Sequence, residues 1–163
     1  MEYELSAARW PLPLPFPCLG ENRSRLSRAT LGRITRLTFH LDLIATISDP
    51  EHPLSLGQLA VVNLPDIHLK PSSAGPNALV EVGVEITPTI THCSLATIIG
   101  LGVRVRLEQA LPPNYRVDVR VKEGTHSQDD QVNKQLADKE RVAAALENQD
   151  LKRMLESMLS TCA

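Results

Sequence analysis

A chain of 163 residues, 42% hydrophobic and 22% charged, has the apolar mass for one compact domain and too little for two of ordinary size. Its formal net charge of -2 gives no overall attraction to nucleic acid or to an anionic membrane, so any electrostatic partner surface must be local. The aromatic residues Tyr3, Trp10, Phe16, Phe39 and Tyr115 are too scattered for a base-stacking platform, which argues against direct nucleic-acid binding.

The chain opens on an acidic stretch, then prolines at 11, 13, 15 and 17 that cannot sustain a helical hydrogen-bond ladder. Arg23, Arg25, Arg28, Arg33 and Arg36 follow among Ser and Thr, a composition resembling an organelle-targeting peptide. Its position behind acids and prolines favours a solvated tail instead. Residues 1–36 therefore read as a Pro/Arg-rich disordered extension, and 37–163 as the folded domain.

Leu37, Leu41, Ile44 and Ile47 recur at helical spacing and predict a first helix that Asp49-Pro50 stops. Leu59 to Leu64 reads as a strand, and Pro71 to Asn77 as a turn or hairpin loop. Val80, Val82, Val84 and Ile86 alternate with polar or small residues, as do Val117, Val119 and Val121. Both are strands with one buried and one wet face. Between them, Ser94 to Glu108 has helical periodicity despite Gly100 and Gly102. Each glycine costs about 1 kcal/mol against alanine in a helix, which suggests close approach of this helix to the sheet. From Ser127, a candidate N-cap, a charged helix runs to about Leu146. Asn148 could cap another, whose Leu151, Met154, Leu155, Met158 and Leu159 form an apolar stripe.

No apolar run approaches the roughly 20 residues that span a bilayer, and the N-terminal sequence lacks the layout of a secretory signal. Cys18, Cys93 and Cys162 are odd in number and widely spaced, which fits a reducing compartment better than a disulfide framework or a self-contained zinc site.

The densest chemical feature is Thr87-Pro88-Thr89-Ile90-Thr91-His92-Cys93-Ser94, where a strand gives way to a proline turn and a helix start. A Cys93 in the first helical turn would have its thiolate stabilised by unpaired backbone N–H groups and the helix dipole. The competing reading is a small buried hydrophobe. His92 adjoins Cys93 but points to a different face of a helix, so it suits capping or the surface better than chelation. His126, in Gly124-Thr125-His126-Ser127, is either a base or ligand for Cys93 or a local hydrogen-bonding residue. Asp49-Pro50-Glu51-His52-Pro53 puts two carboxylates and an imidazole in one turn. It could activate a nearby thiol or simply make the turn.

From about Leu41 to the C-terminus, the runs DLIATISDPEHPLSLGQLAVV, ITPTITHCSLATIIGLGVRVRL and EGTHSQDDQVNKQLADKERVAAALEN resemble the MIP-eighteen family. These are eukaryotic subunits of cytosolic iron-sulfur assembly, related to bacterial PaaD-like and SufT-like domains, and QLADKERVAAALEN is closer to the B-type than to the A-type. The resemblance implies an α+β fold with a small mixed β-sheet packed with helices, plus C-terminal helices. It also implies that Cys93 is the functional thiol of a non-catalytic subunit delivering clusters to client apoproteins. Asp49, Glu51, Thr87, Thr89, His92 and His126 match the family's surrounding positions as supporting residues. No cofactor is expected to be stably bound; a transient iron-sulfur cluster or metal contact at Cys93 is. The implied partners are a WD-repeat propeller, a HEAT-repeat scaffold, client apoproteins and a second copy of the chain, in the cytoplasm and also the nucleus, with no membrane partner.

Two departures stand out: Thr91 replaces the usual proline before His92-Cys93, which bears on the exposure of Cys93, and the front of the chain is Pro/Arg-rich rather than acidic. Two other functions compete. A cysteine-dependent thiol enzyme would use His126 or Glu51 as base, and a purely structural bridging adaptor would bury Cys93.

Overall fold

The computed structural model describes residues 28–71, 79–90 and 95–162. In chain order the elements are α1 (Arg28–Ala45), a 3-10 turn (Leu64–Asp66), β1 (Ile67–Pro71), β2 (Val80–Ile86), α2 (Leu95–Ala110), β3 (Tyr115–Val121), α3 (Asp129–Ala137), α4 (Lys139–Glu147) and α5 (Gln149–Leu159). The fold is α+β with a small mixed sheet, as the sequence leads one to expect.

The sheet has the order β1-β2-β3, β1 antiparallel to β2 and β2 parallel to β3. Both strands predicted from alternation are present, and their register places Val82 beside Val117 and Val84 beside Val119. These valines, with Ile67, Ile86 and Val121, form the inner face, against which α1 and α2 pack. The outer face carries His68, Lys70, Glu81, Glu85, Arg116 and Arg120, none of them buried. A parallel β2–β3 pair requires a crossover between its strands, and α2 supplies it. The hairpin-loop residues Ser72 to Asn77 and the candidate helix-start residues 91–94 lie outside the described residues, as does Cys18.

At the free edge of β3, the Asn133 side chain imitates a further strand. Its Oδ1 accepts from the Val121 N–H at 2.7 Å, and its Nδ2 donates to the Val121 carbonyl at 3.1 Å. One amide thus satisfies both backbone groups of Val121 and ties α3 to the sheet edge.

Four expectations need correction. First, α1 starts at Arg28, well before Leu37, although residues 32–36 are exposed and packing begins only at Leu37. It ends at Ala45 rather than at Asp49, because the Gly57 N–H takes the Ala45 carbonyl at 3.0 Å. A Cβ on Gly57 would lie 2.8 Å from the Ala45 Cβ, so this approach requires glycine.

Second, Leu59 to Leu64 is not a strand. It is a run of turns, with the Val61 N–H bonded to the Leu56 carbonyl and Ala60 at φ 55°. Val61 and Val62 are buried, and a short apolar run signals burial without specifying its backbone.

Third, the charged helix expected from Ser127 to Leu146 is two helices. Asp138 leaves the helical region and caps α4, its carboxylate accepting from the Glu140 and Arg141 N–H groups. The buried Arg104 guanidinium meanwhile donates to the Leu136 carbonyl at 2.7 Å, satisfying the end of α3. At the start of α3 the capping position is Gln128, with no side-chain cap bond, so Ser127 does not fill it.

Fourth, the two glycines of α2 permit close packing against the C-terminal helices rather than the sheet. A Cβ on Gly100 would sit 2.6 Å from Leu136 Cδ1 of α3, and one on Gly102 would sit 3.2 Å from Met158 Cε of α5. The α5 stripe is buried on this seam through Leu155 and Met158, whereas Met154 remains exposed. Asn148 caps α5 as expected, its side chain accepting from the Asp150 and Leu151 N–H groups.

Candidate functional site

Three of the residues singled out in the sequence, Asp49, Glu51 and Thr89, meet at a shallow cleft. Asp49, Pro50 and Glu51 form one wall; Pro88, Thr89 and Ile90, just beyond β2, form a second; Leu95, Ala96 and Ile99 of α2 form the third. The acidic turn and the β2–α2 junction are far apart in sequence, and the fold brings them together.

The acidic turn is built around one oxygen. Asp49 Oδ1 accepts from the N–H groups of Glu51 and His52, each at 2.9 Å, and His52 Nδ1 lies 3.0 Å away. A carboxylate oxygen offers no proton, so Nδ1 is the protonated nitrogen of His52. The Asp49 side chain is only 2% exposed, and these contacts compensate its burial. Asp49 therefore holds the turn, while Glu51 is exposed beside it and also lines the cleft. The Asp49 N–H in turn bonds the Leu54 carbonyl at 2.9 Å and closes the loop.

At the second wall, the Thr87 N–H donates to the Val61 carbonyl at 2.9 Å, fixing the direction in which the chain leaves β2. Pro88 is buried, whereas Thr89 and Ile90 are exposed. Thr91, His92, Cys93 and Ser94 lie outside the described residues. Their described neighbours in the chain, Ile90 and Leu95, both line the cleft.

His126 does not belong to the cleft lining. It is 7% exposed, and its Nδ1 accepts from the Gln128 N–H at 3.1 Å, which places its ring proton on Nε2. The surrounding turn is shaped by Gly124 at φ 76°, a left-handed conformation suited to glycine, and by the Thr125 hydroxyl donating to the Lys122 carbonyl at 2.6 Å. Asp129 receives the Gly124 and Asp130 N–H groups. These bonds hold its carboxyl below the ordinary value. The Gln128 bond gives His126 a local hydrogen-bonding role.

A pair not noticed in the sequence fastens the neighbouring strand ends. Lys122 Nζ lies 2.7 Å from Oδ1 of the buried Asp66, and the Lys122 N–H bonds the Ile86 carbonyl. The hydrogen bond and charge of Asp66, with a smaller contribution from Glu85, raise the Lys122 pKa. No spacing rule links Lys122 to Asp66, so only the fold reveals them as partners.

Among the described residues, no group of three or more His, Cys, Asp or Glu side chains is placed to hold a metal ion. Among them, too, no helix is long and apolar enough to cross a membrane. Cys162 is half-buried beside Thr46, whose hydroxyl lies 3.5 Å from its sulfur.

No protein-family profile matches the chain. Individual proteins do. A MIP18 family protein of Saccharomyces cerevisiae is 64% identical over 121 residues, which cover 74% of this chain and 52% of the yeast protein. The chain thus spans about half the length of that relative and 66% of a Schizosaccharomyces pombe MIP18 family protein. Cytosolic iron-sulfur assembly component 2B of Mus musculus is 50% identical over 120 residues, 73% of this chain and 69% of the mouse protein. The Drosophila melanogaster MIP18 family protein galla-2 is 49% identical over 119 residues, covering 73% of this chain and 72% of its own length. With such identity across most of both partners, this chain belongs to the MIP18 family.

Proposed function

We propose that this chain is a non-catalytic subunit of cytosolic iron-sulfur protein assembly, a targeting adaptor that passes clusters to apoproteins through the thiol of Cys93. The observation that carries the proposal is the cleft. In a chain half identical to a mouse protein named for cytosolic iron-sulfur assembly, it joins the acidic Asp49–Glu51 turn to both flanks of the segment bearing Cys93.

The cluster is cargo here rather than a resident cofactor. Iron-sulfur clusters are typically held by four cysteine thiolates, and Cys93 supplies one, so the remaining ligands come from a partner, a second copy, the client or a small thiol. Transfer is then ligand exchange without net redox change. A client thiolate forms its iron–sulfur bond as the bond to Cys93 breaks, and the proton of the incoming client thiol passes to solvent. The exposed Glu51 carboxylate places a proton acceptor in the cleft lining.

The adaptor works with the WD-repeat propeller and HEAT-repeat scaffold of the targeting complex and with a second copy of itself, serving cytosolic and nuclear clients. The test compares tagged wild type with Cys93→Ala, reading both co-purified proteins and iron incorporation into clients. Recovery of propeller and scaffold by both forms, with iron incorporation by wild type alone, is the expected result. Failure of both forms to recover those partners removes the targeting-complex assignment. Normal iron incorporation by Cys93→Ala removes the role of the thiol.

A further inference from the structure

Four hydrogen bonds join the end of α5 and the residues after it to the segment immediately before the acidic turn, the weakest being the one from the Thr46 hydroxyl to the Cys162 sulfur at 3.5 Å. The Ser48 N–H donates to the Met158 carbonyl at 3.0 Å. The Thr161 hydroxyl donates to the Thr46 carbonyl at 2.8 Å, and the Ser48 hydroxyl lies 3.1 Å from the Thr161 hydroxyl oxygen. The Thr161 hydroxyl also lies 3.3 Å from the Met158 carbonyl, and because its proton goes to one of these two carbonyls, Ser48 is the donor in that last bond.

Ser48 is also where the loop of the acidic turn closes, through its bridge to Ser55, and Leu56 continues the closure by donating to the Ile47 carbonyl at 2.8 Å. Asp49, the organiser of the cleft wall, is the next residue. The anchor on the far side is firm. Met158 is 2% exposed and packs in the α2–α5 seam, where its methyl group fills the space left by the missing Cβ of Gly102. A continuous physical path therefore runs from the helical seam through Met158 and Thr161 to Ser48, and from Ser48 to the wall formed by Asp49, Pro50 and Glu51.

We infer that the residues following α5 form a clasp that positions this cleft wall for cluster transfer, with Ser48 and Thr161 as positioning residues. The inference rests on the cluster-delivery reading of the same cleft, and it assigns a task to residues that touch neither cargo nor client. Without the clasp, the loop is closed only by its own short-range bonds, and the distance from Glu51 to the β2–α2 junction is less narrowly fixed.

The Glu51 and His52 amides, both bonded to Asp49 Oδ1, are direct reporters. In the full chain, Thr161→Val removes the hydroxyl at an exposed position and leaves the Ser48–Met158 backbone bond in place. Hydrogen exchange at Glu51 and His52 is expected to accelerate by roughly five- to tenfold, the two exposed bonds of the Thr161 hydroxyl together counting for about one ordinary hydrogen bond. The core amides of Val82 and Val119 keep wild-type rates. Client iron incorporation falls while propeller and scaffold are still recovered, and Thr161→Ser restores both exchange and incorporation. Ser48→Ala is expected to reproduce the Thr161→Val effect, and the double variant to add little.

Unchanged exchange at Glu51 and His52 overturns the inference, as does an equal rise at Val82 and Val119, which would signify general destabilisation. A loosened turn with wild-type iron incorporation overturns it as well. Cys93→Ala, measured alongside, separates the two levels. If that variant supports normal incorporation, the delivery reading fails and the positioning role falls with it, whereas the exchange data still report whether the clasp holds the turn.

Discussion

The cleft wall and the seam between α2 and the C-terminal helices are held by opposite means. At the wall, one carboxylate oxygen of Asp49 organises backbone N–H groups within a short loop, and the surrounding residues are partly solvated. At the seam, Gly100 and Gly102 allow Leu136 and Met158 to lie directly on the α2 backbone, and both side chains are almost fully buried. The seam gains from apolar area removed from water, about 1.5–3 kcal/mol for each large side chain, and resists any change of volume. The wall depends on a few directional bonds worth about 1 kcal/mol each. The seam is therefore the stable frame, and the wall is the part whose position is adjustable at low cost.

The largest effect is expected where the frame is opened. Leu136→Ala removes a side chain 1% exposed, and should destabilise the protein by about 2–5 kcal/mol, read as a lowered denaturant midpoint. Gly100→Ala tests the same seam from the other side. Its Cβ would meet Leu136 at 2.6 Å, so overpacking of about 1–3 kcal/mol opposes a helix-propensity gain of about 1 kcal/mol. Net destabilisation by equilibrium unfolding is expected. A stabilised variant would show that Leu136 moves aside freely.

Changes at the wall should cost less globally and more locally. Asp49→Ala strips the acceptor from the Glu51 and His52 amides and is expected to cost about 1–2 kcal/mol, with faster exchange at those amides and reduced client iron incorporation. Asp49→Asn retains an acceptor oxygen and should fall between wild type and alanine. If Asp49→Ala instead broadens exchange across Val82 and Val119, wall and frame are one cooperative unit and the contrast between them collapses.

The smallest expected effect is electrostatic, at the turn after β3. The folded-state pKa of Asp129 is depressed below its ordinary value of 3.8 by the N–H groups it accepts. Its stabilising contribution is therefore complete above the unfolded-state value and is lost as the pH falls through the lower folded-state value. A stability-versus-pH series should show a shallower acid limb for Asp129→Asn than for wild type, and identical limbs would contradict the assigned cause.

Much of the fold was legible because alternation and helical spacing record burial directly. Val80 to Ile86 and Val117 to Val121 are strands for the reason their patterns suggest, one face inward and one wet. The unreliable places were those where burial did not identify the backbone or the partner. Val61 and Val62 are buried in turns, not in a strand, and the close packing expected of Gly100 and Gly102 is real but faces α3 and α5. The break at Asp138 was hidden inside a continuous charged pattern, because a capping aspartate and a helix-surface aspartate look alike until the backbone turns.

At the site, the acidic turn and the Thr87–Ile90 exit were each visible as local chemistry, and the resemblance of the surrounding runs pointed to the MIP18 family. Local sequence determined the strands β2 and β3, the helices α2 and α5, the turn-forming chemistry of Asp49-Pro50 and the family. Tertiary structure alone decided that the acidic turn faces the two flanks of the Cys93 segment, that Lys122 pairs with Asp66, and that Ser48 meets Thr161. The physical reason is that periodicity reports which residues leave water, whereas the partner each one meets is set by how distant elements pack, and no local pattern encodes that choice.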